Sequence, residues 1–192
     1  PRAPVIVGVG QVSQHEDDPA AAVEPVALLE RAADKAGDDT GVGRGILERV
    51  DTVGVVEILS WRYTDPGRSL ARRLRVEPRA TATTTTGGNS PQMLLNAMCD
   101  RIAAGTADVV LMGGAECLRT RRRARLEPKT WLEWSTETDT PCTDILGVDR
   151  DGSSELEKAA GLTHPLVVYP LFDTAQRHAA DVSVAEHSRR TA

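Results

Sequence analysis

The stretch Thr84-Thr-Thr-Gly-Gly-Asn-Ser-Pro-Gln-Met-Leu-Leu-Asn-Ala-Met-Cys-Asp-Arg-Ile-Ala-Ala-Gly105, continued by Asp108-Val-Val-Leu-Met-Gly-Gly-Ala-Glu-Cys117, decides the fold. Its order is strand, glycine turn, helix, short turn, strand, and in open α/β sheets ligands settle where such a strand hands over to its helix. Ser90 is expected to cap the helix through its hydroxyl, with Pro91 at the first helical position, where no N–H is needed. Leu94, Met98 and Ile102 recur four apart, with Leu95 and Cys99 flanking, so one face should lie on the sheet. Gly105 suits the left-handed position beyond the helix end. Val109 to Met112 is apolar on both faces, which predicts a central strand covered by helices above and below.

Moving towards the N-terminus, Ala80 to Thr86 is threonine-rich, and its β-branched residues suit a pleat. Asp65-Pro66 has the form of a cap followed by a first-turn proline, opening a short helix with Leu70 and Leu74 inward. Val50 to Leu59 predicts a second strand. Pro25 starts a helix whose Val26, Leu29 and Ala33 share one face, with Gly37 as its expected stop. Pro4 to Val12 predicts a buried strand ending at glycines. Its Gly8-Val-Gly-Gln-Val-Ser13 matches only the first two glycines of a dinucleotide fingerprint, and a polar loop follows where a helix should open.

Beyond Cys117 the character changes. Arg119, Arg121, Arg122, Arg123 and Arg125 form a basic run, and few periodic apolar positions follow up to Asp151, which predicts a loop-dominated region. Trp131 and Trp134 either line a pocket or staple loops, and packing is the commoner role. Pro165 to Tyr169 is a short apolar run, and Pro170 to His178 has helical spacing. Ser183 with Glu186 has the form of a capping box.

The 192 residues are 40% apolar and 27% charged, ordinary for a folded chain, and the net charge of −5 gives no electrostatic case for nucleic acid or an anionic membrane. No apolar run approaches the ~20 residues of a membrane-spanning helix, and the first residues lack the pattern of a secretory signal, so a cytoplasmic location is expected. Cys99, Cys117 and Cys142 have no paired spacing, so neither a disulfide framework nor a zinc site is expected, and the four histidines lack metal-ligand spacing.

The glycine turn, Gln92, the amphipathic helix and the run Ala104-Gly-Thr-Ala-Asp-Val-Val-Leu-Met-Gly-Gly-Ala-Glu116 resemble the N-terminal half of thiolases. The likeness is strongest to the sterol-carrier-type, thiolase-like branch often labelled acetyl-CoA acetyltransferase. The resemblance implies a βαβαβ half with a mainly parallel sheet flanked by helices over residues 1–118. It also implies an incomplete loop-rich insertion over 119–192, with the second thiolase half not in this chain. In thiolases the turn before this helix reads Cys-x-Ser-Gly-x-Gln, and its cysteine is acylated. Aligning Gln92 places Gly87 at the cysteine, so the resemblance implies the scaffold without its reactive sulfur and no classical thiolysis or Claisen condensation by this chain.

What remains under that likeness is a binding site for acyl-CoA or coenzyme A. Gly87, Gly88 and Asn89 would offer backbone N–H groups to a carbonyl or phosphate oxygen, and Arg122 and Arg123 would hold coenzyme A phosphates. The strand carrying Thr81, Thr83, Thr84 and Thr85 would pair across a homodimer, and a partner chain could supply the second half. Aldolase-type chemistry on acyl-CoA, or a non-catalytic dimerising scaffold, stand as alternatives.

Overall fold

A computed structural model of the chain describes residues 2–127, 130–135 and 141–191. The chain divides into two compact units, Pro1–Val148 and Asp149–Ala192. The division falls well beyond the change of composition near residue 118, because the arginine-rich segment and the strand that follows it pack with the first unit.

The first unit holds helix α1 (Pro25–Asp39), the short α2 (Arg44–Leu47), strand β1 (Thr52–Val55) and helix α3 (Pro66–Leu74). Strand β2 (Ala80–Thr84), helix α4 (Ser90–Ala103), strand β3 (Val110–Gly113), helix α5 (Leu118–Leu126) and strand β4 (Asp144–Leu146) follow. The four strands form one sheet in the order β3-β1-β2-β4, and every neighbouring pair is parallel. Parallel strands need crossovers, and α3 and α4 supply two of them.

Alternation along β1 divides the core into two layers. Val53 and Val55 join Val26, Leu29 and Ala33 of α1, Leu47 of α2, and Leu70 and Leu74 of α3. On the opposite face Gly54 meets Leu94 of α4, and Ala82, Leu94 and Met98 form a smaller cluster with Val110, Met112 and Leu146 packed against it. The result is helix, sheet, helix, the α/β class expected from sequence.

Asp65 caps α3 as expected, its Oδ1 accepting from the Arg68 N–H at 2.8 Å, and Gly105 is left-handed with φ 73°. Other expectations are corrected. Residues 4–12 form no strand, and Val5, Ile6, Val7 and Val9 are exposed. This segment instead lies along α1, where a Cβ on Gly8 or Gly10 would collide with the carbonyl oxygens of Ala36 and Ala32. β3 is an edge strand and only half-buried, not the centre of the sheet. Gly37 lies within α1 and packs against Leu47, and the helix runs on to Asp39, followed by Thr40 and the left-handed Gly41. The basic run is helix α5 rather than loop.

The second unit comprises α6 (Glu155–Ala159), α7 (Pro165–Ala179) and α8 (Val184–Thr191), none with a buried residue. The apolar run from Pro165 and the segment from Pro170 are one helix, with Pro170 inside it. Ser183 Oγ accepts the Glu186 N–H at 3.2 Å, but the complete capping box is Ser154 with Glu157 on α6.

Candidate functional site

Because all four strands are parallel, their C-terminal ends share one rim of the sheet. The turns leaving β1, β2, β3 and β4 gather there: Val56–Leu59, Thr85–Asn89, Gly114–Cys117 and Gly147–Val148. The Gly87–Asn89 turn lies at the position where open α/β sheets bind ligands.

The local hydrogen bonds shape this turn. Ser90 is buried, and its hydroxyl donates to the Thr85 carbonyl at 2.7 Å instead of capping its own helix. The N-cap is Asn89, whose side chain makes no capping bond. The Ser90 N–H returns to the Gly87 carbonyl at 3.1 Å, which closes the turn. The start of α4, with its partial positive charge, is therefore left without a side-chain cap. A Cβ on Gly87 would lie 2.9 Å from Asn89 Oδ1 and 3.1 Å from Ser90 Oγ, whereas one on Gly88 would meet nothing within 4 Å. Beside the turn, the Thr84 hydroxyl oxygen accepts the Glu57 N–H at 3.1 Å.

Two thiols are candidate nucleophiles, Cys117 on this rim and Cys142 ahead of β4. Burial pushes the Cys117 thiol up to about 11, with Glu116 and Glu24 adding to the shift, and pushes Cys142 up to about 12, reinforced by Asp65. Both thiols are protonated near neutrality and inert by the usual criterion. Glu116 is occupied, accepting from the Leu59 N–H at 2.7 Å and the Ser60 N–H at 2.9 Å.

The expected phosphate-binding arginines separate. Arg123 pairs with Asp17 at 2.8 Å and lies 4.0 Å from Glu127. Arg119 also pairs with Asp17, and the hydrogen bonds from the two arginines hold that carboxyl below its usual range. Arg122 is exposed, and among the described residues it has no hydrogen-bonding or ionic partner. No bond joins either Arg122 or Arg123 to the Gly87–Asn89 turn.

The expected interface strand is enclosed. Thr81, Thr83 and Thr84 are buried, and Thr85 donates its N–H to the Leu146 carbonyl at 2.8 Å. The side of β2 facing away from β1 is taken by β4, in the register Ala82 with Asp144, Thr83 with Ile145 and Thr84 with Leu146. Pairing with a second copy at this edge requires β4 to leave.

Sequence reasoning missed two features. One is a cavity of about 420 Å³, lined by Gly10, Gln14, His15, Leu29, Cys117 and Thr120 among others, and by none of Gly87, Gly88 or Asn89. It forms between three separate segments, so no local pattern announced it. The other is a polar hub around buried Glu24. That carboxylate accepts from the Tyr63 hydroxyl at 3.0 Å, the Ser135 N–H at 3.0 Å and the Ser135 hydroxyl at 2.7 Å, and it pairs with Arg73. Trp134 meets Trp61 edge-on at 5.1 Å and donates to the Ala22 carbonyl, so it packs, while Trp131 is exposed.

Among the described residues no cluster of His, Cys, Asp or Glu is placed to hold a metal ion, and no helix is long and apolar enough to cross a membrane.

Fold and rim together define a protein of the α/β class whose four-stranded parallel sheet matches an SCP2-thiolase-like fold. The particular likeness is to the crystal structure of a monomeric SCP2-thiolase like protein type 1 from Mycobacterium smegmatis. It has a TM-score of 0.50 and 35% sequence identity, and it covers 59% of this chain. The match spans 23% of that protein's length. No protein-family description matches the chain, and no curated protein matches it.

Proposed function

We propose that this chain binds coenzyme A or an acyl-CoA thioester at the start of α4 and does not form an acyl-enzyme. The observation that carries the reading is the turn itself. Gly87 has no side chain to attack a thioester, yet it leads into a helix terminus that no side chain caps. Such a terminus favours a carbonyl or phosphate oxygen through its N–H groups and its partial charge. Arg122, exposed and without a partner among the described residues, is the better of the two arginines for a phosphate, because Arg123 is already held by Asp17.

Isothermal titration with acetyl-CoA and with free coenzyme A tests the reading. Saturable heat is expected from at least one of them, and intact mass after incubation with acetyl-CoA should show no added acetyl group. Absence of heat from both ligands, or a stable acyl adduct, contradicts it.

A second reading is favoured by a separate observation. Val5, Ile6, Val7 and Val9 are exposed in a segment that forms no strand, and clustered exposed apolar residues mark interaction surfaces. Under this reading the chain is a non-catalytic scaffold that pairs with another polypeptide, and titration with either ligand gives no heat. Aldolase-type chemistry on an acyl-CoA would still require ligand binding at the same turn, so it shares the first test.

A further inference from the structure

Edge strand β3 hands over to α5 through Gly114–Cys117, at the same end of the sheet as the Gly87–Asn89 turn. The cavity of about 420 Å³ opens at this handover, lined also by residues 10–15 and by α1, all within the first unit. Its volume is that of a small-molecule pocket, and the carboxyl end of a parallel strand is where such sheets bind ligands.

Two independent observations meet at this cavity. The start of α5 has no side-chain cap, and among the described residues the Leu118, Arg119 and Thr120 N–H groups have no acceptor. The first bond of the helix is from the Arg121 N–H to the Cys117 carbonyl at 3.0 Å, and the Cys117 N–H is taken by Ser60 Oγ at 2.8 Å. Thr120 lines the same cavity and is only 8% exposed, yet its hydroxyl has no hydrogen-bonding partner among the described residues. A buried hydroxyl is ordinarily satisfied, so backbone and side-chain donors converge here with their hydrogen-bonding capacity unused.

The lining sets the chemistry of the ligand. Leu28 and Leu29, both buried, form an apolar wall with Val12 and Ala32. Arg119 adds positive charge, although Asp17 and the Glu16 carbonyl hold its guanidinium. Glu116 also lines the cavity, and its carboxylate already accepts from the Leu59 and Ser60 N–H groups. An uncapped helix start favours negative charge, but a dianion beside Glu116 would be opposed by like charge. We propose that this cavity binds an aliphatic monocarboxylate. Its carboxylate sits on the Leu118, Arg119 and Thr120 N–H groups and the Thr120 hydroxyl, and its chain lies against Val12, Leu28, Leu29 and Ala32. None of Gly87, Gly88 or Asn89 lines this cavity, so the site is separate from the start of α4.

Hexanoate is the probe, followed by amide chemical shifts of the chain. Saturable shifts are expected at Leu118, Arg119, Thr120 and Leu29, with Gly87–Asn89 unmoved. Hexan-1-ol keeps the chain and lacks the charge, and it should bind about 10-fold more weakly, as the loss of hydrogen bonds to a charged group implies. Inorganic phosphate has charge without a chain and should also bind more weakly than hexanoate. Thr120→Val removes the hydroxyl at nearly constant shape and should weaken hexanoate by about 10-fold for the same reason. Should Thr120→Val not fold, as judged by circular dichroism, the three probes on the wild type decide alone. The proposal is overturned by an absence of saturable hexanoate shifts, by shifts centred on Gly87–Asn89, by hexan-1-ol or phosphate binding as tightly as hexanoate, or by a folded Thr120→Val with unchanged affinity. None of these results touches the acyl-CoA reading, which the titrations with acetyl-CoA and coenzyme A decide separately.

Discussion

At the scale of single residues, Ser90 sets the character of the site by giving its hydroxyl to Thr85 rather than to its own helix. Gly87 then stands before an uncapped terminus, and a thiol placed there should be activated by it, since helix N-termini lower cysteine pKa values. Gly87→Cys is therefore expected to react with iodoacetamide near neutral pH at least ~10-fold faster than Cys117 or Cys142, which are held protonated at about 11 and about 12. Peptide mapping of the labelled cysteines reads this directly, and equal labelling would contradict the proposed polarity of the turn. Glu24 offers a second residue-scale prediction. Burial raises its carboxyl pKa, but the hydrogen bonds from Ser135, Tyr63 and Arg73 outweigh burial and leave it below the ordinary 4.5. A depressed carboxylate contributes stability above its unfolded pKa and loses it as pH falls through the folded one. Denaturant midpoints should therefore drop below about pH 4.5 in the wild type. Glu24→Gln should be destabilised near neutrality by about 1.5–3 kcal/mol, the worth of hydrogen bonds to a charged group, and should show less of the acid-dependent loss.

At the scale of elements, β1 and α4 meet where Gly54 admits Leu94. A Cβ on Gly54 would lie 2.9 Å from Leu94 Cδ1, and Leu94 is fully buried. Gly54→Ala should cost about 1–3 kcal/mol through overpacking, and Leu94→Ala about 2–5 kcal/mol through a cavity, both measurable by urea denaturation. Most of this element was legible in sequence, because the Leu94 and Met98 spacing, Pro91 and Gly105 each carry a local signal. The reading failed where the deciding partner is distant. Val110 to Met112 is apolar on both faces whether it lies at the centre or at an edge, and only the pairing with β1 reveals the edge. Ser90 has the chemistry of a cap, yet its hydroxyl donates to the Thr85 carbonyl five residues earlier. The arginine run has no apolar stripe, but Arg119 and Arg123 find Asp17 and Arg121 finds the Leu59 carbonyl, and α5 forms with these anchors. The turn at Gly87–Asn89 could be placed from sequence because the residues are consecutive. The Glu24 hub could not, since Tyr63, Arg73 and Ser135 come from far along the chain.

At the scale of the whole molecule, the two units differ in how they are stabilised. The first has a continuous core on both faces of the sheet, whereas α6, α7 and α8 bury no side chain. Helices without a packed face are marginal, and regions with few buried apolar contacts open locally at low cost. Limited proteolysis should accordingly cut first within Asp149–Ala192, and a fragment ending near Val148 should survive as an early product; first cuts within β1 or β2 would contradict this division. The sheet that survives is also the part of the molecule that carries the proposed binding rim. The central claim, that coenzyme A or an acyl-CoA thioester binds at the start of α4, is tested most directly by mapping amide chemical shifts of the chain during titrations with acetyl-CoA and with free coenzyme A. The account predicts saturable shifts concentrated at Gly87, Gly88 and Asn89 and spreading into the first turn of α4. Shifts confined to the cavity beside Gly10 and Thr120, or none at saturating ligand, would contradict it.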